Sequence, residues 1–262
     1  MAEIMRILYF DLIGGVSGDM MVASLLDLGG NQNYLRRELR KIDGADYAFR
    51  FFREKEGHIK MGRFVVNVNG AVKQGKIYQL KDIEKKIKGS QLSRGIQKNI
   101  LSIYRALYQA EKKVHRSQSS HFHQIGEIDS IIDIASACIL IDRLGVDRIL
   151  YSSVPFGKKV APATAQLLVS KDISFSKHPF ENITPTGVAV ITTLGRQCTT
   201  KIHRGFVLES LGYGRGSFHS NGHVNGLRTM LLSQGTSLRL ATCPWHDNGQ
   251  VLHQTTGKTR GI

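Results

Sequence analysis

The first thirty residues hold the feature that most limits how this chain can fold: an apolar strand, a glycine-rich turn and an apolar helix follow one another directly. Residues 6–11 (RILYFD) predict a short strand. Residues 17–28 (SGDMMVASLLDL) predict a helix, because their apolar positions recur at helical spacing. Gly29 and Gly30 are typical of the end of such a helix. A chain that begins this way needs a fold in which strands and helices pack on one another.

Strands and helices are mixed along the rest of the sequence. Helical patterns occupy residues 34–42, 79–88, 94–115, 127–144, 162–169 and 187–194, and strand patterns occupy residues 47–54, 61–68, 148–152, 206–213 and 227–232. The helix at residues 127–144 is apolar almost all round, so we expect it to be central. The mixture predicts an α/β or α+β fold, with a mixed sheet and helices packed against it.

Composition restricts the class of protein. The 262 residues are 41% hydrophobic and 22% charged, as in an ordinary globular chain of one large or two small domains. No apolar run reaches the roughly 18 to 20 residues of a membrane helix, and Glu3, Arg6 and Asp11 are incompatible with a signal peptide. The three cysteines lack CxxC spacing, which argues against a disulfide framework and a cysteine-only zinc site. We therefore expect a reduced, cytoplasmic protein.

The formal net charge of +15 favours anionic partners. The basic residues are spread along the chain, with small clusters at residues 36–41, 81–88 and 112–116. We recognise no arginine-rich arm and no basic stretch interleaved with aromatic residues. Binding to nucleic acid is therefore not expected.

The glycine-rich turn, residues 11–19, is the first candidate site. Backbone N–H groups in such a turn, together with the N-terminus of the following helix, can cradle a phosphate. Asp11 and Asp19 flank the turn and suit a divalent metal that bridges to phosphates. The alternative is local: Ser17 caps the helix and Asp19 complements its dipole. The candidate phosphate-binding residues are Gly14, Gly15, Ser17 and Gly18.

The second candidate site combines a histidine pair with two acids. On an extended segment, His121 and His123 point to the same side and can reach one metal ion. Asp133 lies among apolar neighbours, so its carboxylate needs a partner, a metal or a proton, and Asp129 precedes it by one helical turn. Imidazole suits nickel, zinc, copper or iron. The alternative is a capping box between Ser130 and Asp133, with loop histidines that bind no metal.

Two weaker patterns follow. Thr184 and Thr186 precede an apolar helix, and their hydroxyls can bind a phosphate or a ribose or can equally cap the helix. We interpret residues 212–216 (GYGRG) as a flexible loop in which Arg215 seeks an anion.

All four stretches occur together, in this order, in the LarC family of nickel-insertion proteins, and the chain resembles the N-terminal region of that family from about residue 6 to residue 232. The matching segments read RILYFDLIGGVSGDMMVASLLDLG, AEKKVHRSQSSHFHQIGEIDSIIDIASACILIDRLGVDRILYSSVPFG, APATAQLL, ITPTGVAVITTLG and LGYGRGS. We therefore expect a LarC-like region at residues 1–233, of one or two subdomains. The unpatterned residues 234–262 are expected to be a C-terminal tail.

The resemblance implies an activity. LarC-like proteins insert nickel into pyridinium bisthiocarboxylic acid mononucleotide in a CTP-dependent reaction that uses manganese or magnesium. The product is the nickel-pincer cofactor of lactate racemase, and the step is formally a cyclometallation. Carried over by position, residues 11–19 would hold the CTP phosphates and their metal. The other positions expected to act are His121 and His123 for metal, Asp129 and Asp133 for proton removal, and Thr184 and Thr186 for a nucleotide.

The resemblance also implies partners. The expected ligands are a nucleotide and the precursor of the nickel-pincer cofactor. A separate C-terminal LarC chain is an expected protein partner, and we expect the chain to form a homo-oligomer. Gln124 follows the histidine pair where typical members carry a carboxylate. This leaves open a relative that binds nickel or nucleotide without turnover.

Overall fold

The computed structural model describes residues 4–42, 47–56, 58–68, 78–115, 127–177, 181–198, 205–216 and 225–235. The strands are β1 (Ile4–Asp11), β2 (Tyr47–Glu56), β3 (Ile59–Val68), β4 (Arg148–Tyr151), β5 (Val154–Phe156), β6 (Ile173–Phe175), β7 (Arg196–Gln197), β8 (Phe206–Arg215) and β9 (Gly226–Gly235). The helices are α1 (Gly18–Asp27), α2 (Gln32–Leu39), α3 (Leu80–Lys88), α4 (Arg94–His115), α5 (Ile128–Leu144), α6 (Pro162–Leu167) and α7 (Pro185–Leu194).

Seven strands form one mixed sheet in the order β2-β3-β8-β9-β1-β4-β7. β1 pairs in parallel with β4 and antiparallel with β9, and β3 pairs in parallel with β8. β5 and β6 form a separate parallel pair. The mixed sheet and the helices packed against it confirm the predicted fold class.

The helices cover the sheet in layers. α1 packs on β3, β8 and β9, while α7 packs on β4 and β7. α5 packs on both α1 and α7, and α4 packs on α5 and α7. Leu8 and Phe10 of β1 belong to the large core beneath these helices, whereas Ile7 belongs to a small cluster with Leu150 and Leu232. Consecutive residues of β1 thus enter different clusters, as the pleat of a strand requires.

Residues 212–216 correct one prediction. They are not a flexible loop, because residues 212–215 are the end of β8. A Cβ added to Gly214 would collide with the carbonyl oxygen of Met20 and lie 2.7 Å from the backbone nitrogen of Ser24. The glycine therefore lets α1 lie directly on the strand. Arg215 is only 2% exposed, and its guanidinium donates to Glu54 over 2.8 Å.

Two further features bear on the sequence analysis. β9 continues to Gly235, and Gln234 pairs with Met5 and Phe206, so the expected start of the tail at residue 234 falls within a strand. Residues 236–262 lie outside the described residues. Within the described part of the chain, no helix is both long and apolar enough to cross a bilayer.

Candidate functional site

Three of the predicted motifs meet at the carboxyl end of β1. Val16 of the glycine-rich turn forms a parallel bridge with Ile183, just before α7. The N–H of Val16 donates to the carbonyl of Asn182 over 2.9 Å, and the N–H of Thr184 donates to the carbonyl of Val16 over 3.0 Å. The turn and the start of α7 are therefore joined by backbone hydrogen bonds.

Glycines permit this close approach. Gly15 has a φ of +137°, and an added Cβ would collide with the carbonyl oxygen of Asn182. A Cβ added to Gly187 would lie 2.8 Å from the backbone nitrogen of Ser17. At both positions an added Cβ would come closer to the facing backbone atoms than a side chain tolerates, so only glycine allows the two segments to touch here.

Asp133 of α5 reaches the same place. A Cβ added to Gly18 would lie 2.5 Å from its carboxylate oxygen Oδ2, so this carboxylate lies against the first turn of α1. Burial raises the pKa of Asp133 well above its usual value, and the negative charges of Asp19 and Asp129 raise it further. The N-terminus of a helix favours an anion, and desolvation outweighs that effect here. Burial also raises the pKa of Asp129.

Tyr104 is a residue of this region that sequence reasoning missed. It is fully buried on α4, and its hydroxyl has no hydrogen-bond partner among the described residues. Burial raises its pKa well above 10, and the charge of Asp133 adds to the shift. The available signal was a polar tip on the apolar face of an amphipathic helix, between Ile100 and Leu107.

The first turn of α1 is capped as the local alternative predicted. Ser17 is the N-cap, and its hydroxyl accepts from the N–H of Met20 over 3.4 Å. The same hydroxyl bonds to the carboxylate of Asp19, which also accepts from Met20 over 2.9 Å. The N–H of Gly14 donates to the carbonyl of Gly226 over 2.9 Å. Part of the expected phosphate cradle is therefore already bonded within the protein, and phosphate binding there stays a prediction.

Asp11 has a guanidinium partner. Nε of Arg228 donates to its carboxylate over 3.0 Å, and a second N–H of Arg228 donates to the same oxygen. This hydrogen bond raises the pKa of Arg228. Any metal bound by Asp11 would have to share the carboxylate with that arginine.

The metal ligands stay predictions. Across the described ranges, no three His, Cys, Asp or Glu side chains come together in a way that could hold a metal ion. His121 and His123 lie outside the described residues. A site that uses Asp11 or Asp19 would therefore need ligands from outside the described residues, such as that histidine segment, or from a bound ligand.

Thr184 and Thr186 stand at the start of α7. Thr184 is the N-cap, and its hydroxyl accepts from the N–H of Gly187 over 3.3 Å. The two threonine hydroxyls lie 3.0 Å apart. The capping alternative is thus observed, and a nucleotide contact stays a prediction.

The arrangement favours proton transfer over metal binding by acids alone. Two helix N-termini, those of α1 and α7, meet beside a carboxyl group whose pKa is raised. A carboxyl group with a raised pKa can act as an acid or a base closer to neutral pH than an ordinary aspartate.

Comparison with known proteins gives one consistent result. A family model described as "Nickel insertion protein" matches residues 8–256. A Clostridium kluyveri protein named pyridinium-3,5-bisthiocarboxylic acid mononucleotide nickel insertion protein is 37% identical over 235 residues, which are 81% of this chain and 58% of that protein.

A protein of the same name from Geobacillus kaustophilus is 29% identical over 264 residues, covering 89% of this chain and 63% of its own length. A third, from Clostridium acetobutylicum, is 33% identical, with 81% and 60% covered. The chain thus spans about three fifths of the length of these relatives. No solved structure matches it significantly.

Proposed function

The chain belongs to the nickel insertion protein family, and we propose that it takes part in the insertion of nickel into pyridinium-3,5-bisthiocarboxylic acid mononucleotide, the reaction for which its relatives are named. In this proposal the reaction occurs in the cytoplasm and depends on CTP with manganese or magnesium. Its product is the nickel-pincer cofactor of lactate racemase. A C-terminal LarC chain is its protein partner in this proposal.

The position of Asp133 carries the proposal. Nickel must become bonded to a carbon of the pyridinium ring, which requires that the ring carbon lose its proton. The C–H electron pair passes to the nickel ion as the carbon–nickel bond forms, and the proton passes to a carboxylate oxygen of Asp133. The raised pKa of this carboxyl group makes its ionised form a stronger base than an ordinary aspartate.

The neighbouring acids support that role. Asp19 and Asp129 raise the pKa of Asp133 by their negative charge, so they tune the base without touching the ring. His121 and His123 deliver the nickel ion in this proposal, because two imidazoles bind nickel yet leave coordination positions open.

The two helix N-termini support the placement of CTP. The starts of α1 and α7 meet through the bridge between Val16 and Ile183, and helix N-termini favour phosphate. Asp19 and Asp133 in the same place would repel a triphosphate. Asp19 would hold the manganese or magnesium ion, whose positive charge would offset that repulsion, and this gives a physical reason for the metal requirement.

The experiment is a single-turnover insertion assay with nickel, CTP, manganese and the mononucleotide substrate, with a C-terminal LarC chain added. Asp133→Asn should lower the rate roughly 10²- to 10⁴-fold, the usual contribution of a general base. The matched control is Asp172→Asn, since Asp172 is an exposed aspartate outside the candidate site. Insertion by Asp133→Asn at the parent rate would remove Asp133 from the mechanism.

Calorimetry tests the nucleotide placement separately. The parent chain should bind CTP with manganese in preference to ATP or GTP, and Asp19→Ala should lose that binding. CTP binding that is unchanged in Asp19→Ala would show that the phosphates lie elsewhere.

A further inference from the structure

A cavity of about 380 Å³ opens where α2 meets β2, the strand at the edge of the sheet. Its volume lies within the range of roughly 300 to 1,000 Å³ that is typical of small-molecule sites. The residues that line it are Gln32, Arg36, Arg50, Phe51 and Phe52. The lining includes no acidic residue and no residue of the site around Asp133.

Among the described residues, the two arginines of this cavity have no carboxylate partner. Within the described ranges neither Arg36 nor Arg50 forms an ion pair, whereas their neighbours Arg37 and Arg53 pair with Glu38 and Asp27. The guanidinium of Arg36 lies 4.1 Å above the ring of Phe49, a contact that holds it in place. Two positive charges at one cavity, neither with a counterion in the described part of the chain, favour an anionic ligand.

A phenyl ring stands beside these charges. Phe52 is 38% exposed, although it is a large apolar side chain. Arg50 and Phe52 are two residues apart on one strand, so their side chains leave the same face of the sheet. An exposed ring next to a guanidinium offers stacking and charge together, the combination that binds a base and its phosphate. Gln32 adds an amide that can both donate and accept hydrogen bonds.

We propose that this cavity binds a nucleotide: its phosphate pairs with Arg36 and Arg50, and its planar ring stacks on Phe52. The sequence analysis found no basic stretch interleaved with aromatic residues, because Arg36 and residues 50–52 are separated along the chain and meet only in the fold. The nucleotide can be a free mononucleotide or one unit of a single-stranded nucleic acid.

The test compares CMP with ribose 5-phosphate, which carries the phosphate without the ring. Both are titrated against the full chain at low ionic strength, with heats measured by calorimetry. CMP should bind roughly five- to a hundredfold more tightly, since stacking of a base on an aromatic side chain contributes that much. Phe52→Ala should abolish this difference, and Arg50→Gln should weaken both ligands. A fluorescein-labelled oligo(dT) tells the two sources apart, because affinity that rises with strand length points to nucleic acid.

Two control variants remove an exposed phenyl ring and an exposed positive charge at positions outside the cavity. Phe175→Ala deletes a phenyl ring that is 89% exposed on β6, and Lys98→Gln deletes an exposed charge on α4. Neither should change the affinity for CMP. The proposal is overturned if CMP and ribose 5-phosphate bind the parent equally, if neither binds at millimolar concentration, or if Phe52→Ala binds like the parent.

This inference and the proposed function fail separately, because no nickel and no turnover enter the titration. CMP binding that is lost in Asp19→Ala but kept in Phe52→Ala would place the nucleotide at the glycine-rich turn and would overturn the inference.

Discussion

At the scale of single residues, Asp133 is where stability and chemistry oppose each other. Its carboxyl group lies against the first turn of α1, and burial raises its pKa well above the value it has in the unfolded chain. Holding the ionised form therefore destabilises the fold. Below the pKa that Asp133 has in the unfolded chain, the group is protonated in both states and costs no stability. As pH rises through the pKa of the folded state, its ionisation lowers the free energy of unfolding.

This gives a pH-dependent prediction. Relative to the parent, Asp133→Asn should gain resistance to urea as pH rises from about 4 to about 8, because the amide carries no charge to bury. Urea denaturation at several pH values measures the difference, and Asp172→Asn should track the parent throughout. A deficit of Asp133→Asn that grows toward pH 8 would mean that the ionised carboxylate stabilises the fold.

Some residues of the site could be predicted from the sequence and others could not. The sequence predicted Asp133 as a candidate functional residue, because a carboxylate among isoleucines needs a partner. The sequence did not predict the buried hydroxyl of Tyr104, the pairing of Asp11 with Arg228, or the cavity lined by Arg36 and Arg50. Each of these depends on which distant segments touch, and periodicity carries no such information.

At the scale of secondary-structure elements, hydrophobic periodicity predicted the long helices and strands and missed the short strands. α4 was predicted at residues 94–115 and begins and ends there, because its apolar stripe extends over the whole helix. β5, β6 and β7 were missed, since strands of two or three residues show no alternation. The end of β8 was taken for a loop because glycine usually signals one.

The contact between α1 and β8 supplies the prediction at this scale. Gly214→Ala would push a methyl group into the backbone of Met20 and Ser24, so α1 must move away from the sheet. We expect a loss of roughly 1–3 kcal/mol or more in the free energy of unfolding. The measurement is denaturation by urea.

Gly95→Ala is the matched control for this change. Gly95 lies in the first turn of α4, where an added Cβ meets no atom closer than 3.8 Å. It should be neutral or stabilising by about 1 kcal/mol, because alanine favours helix. Equal losses in both variants would show that the α1–β8 contact is looser than its geometry indicates.

At the scale of the whole molecule, the net charge of +15 works against the compact state. Like charges that are spread over one chain repel each other, and folding brings them closer. Raising the ionic strength from about 0.01 M to about 0.15 M shortens the Debye length from about 30 Å to about 8 Å.

The unfolding temperature should therefore rise with sodium chloride over this range, as followed by circular dichroism. Replacing several unpaired surface lysines with glutamine, Lys98 among them, should flatten the dependence. A fall in the unfolding temperature with salt would mean that ion pairs such as that of Glu84 with Arg105 outweigh the repulsion.

The bridge between Val16 and Ile183 has a consequence for how the protein is made. It joins the glycine-rich turn to a segment that leaves the ribosome only after residue 183 has been synthesised. Until then the glycine-rich turn lacks the backbone of Asn182 and Thr184 as a partner, and β1 must wait still longer for its antiparallel neighbour β9. Contacts of such long range close slowly. During translation, the apolar N-terminal residues therefore stay exposed to solvent until these later segments have been synthesised. In this interval the nascent protein most needs a chaperone.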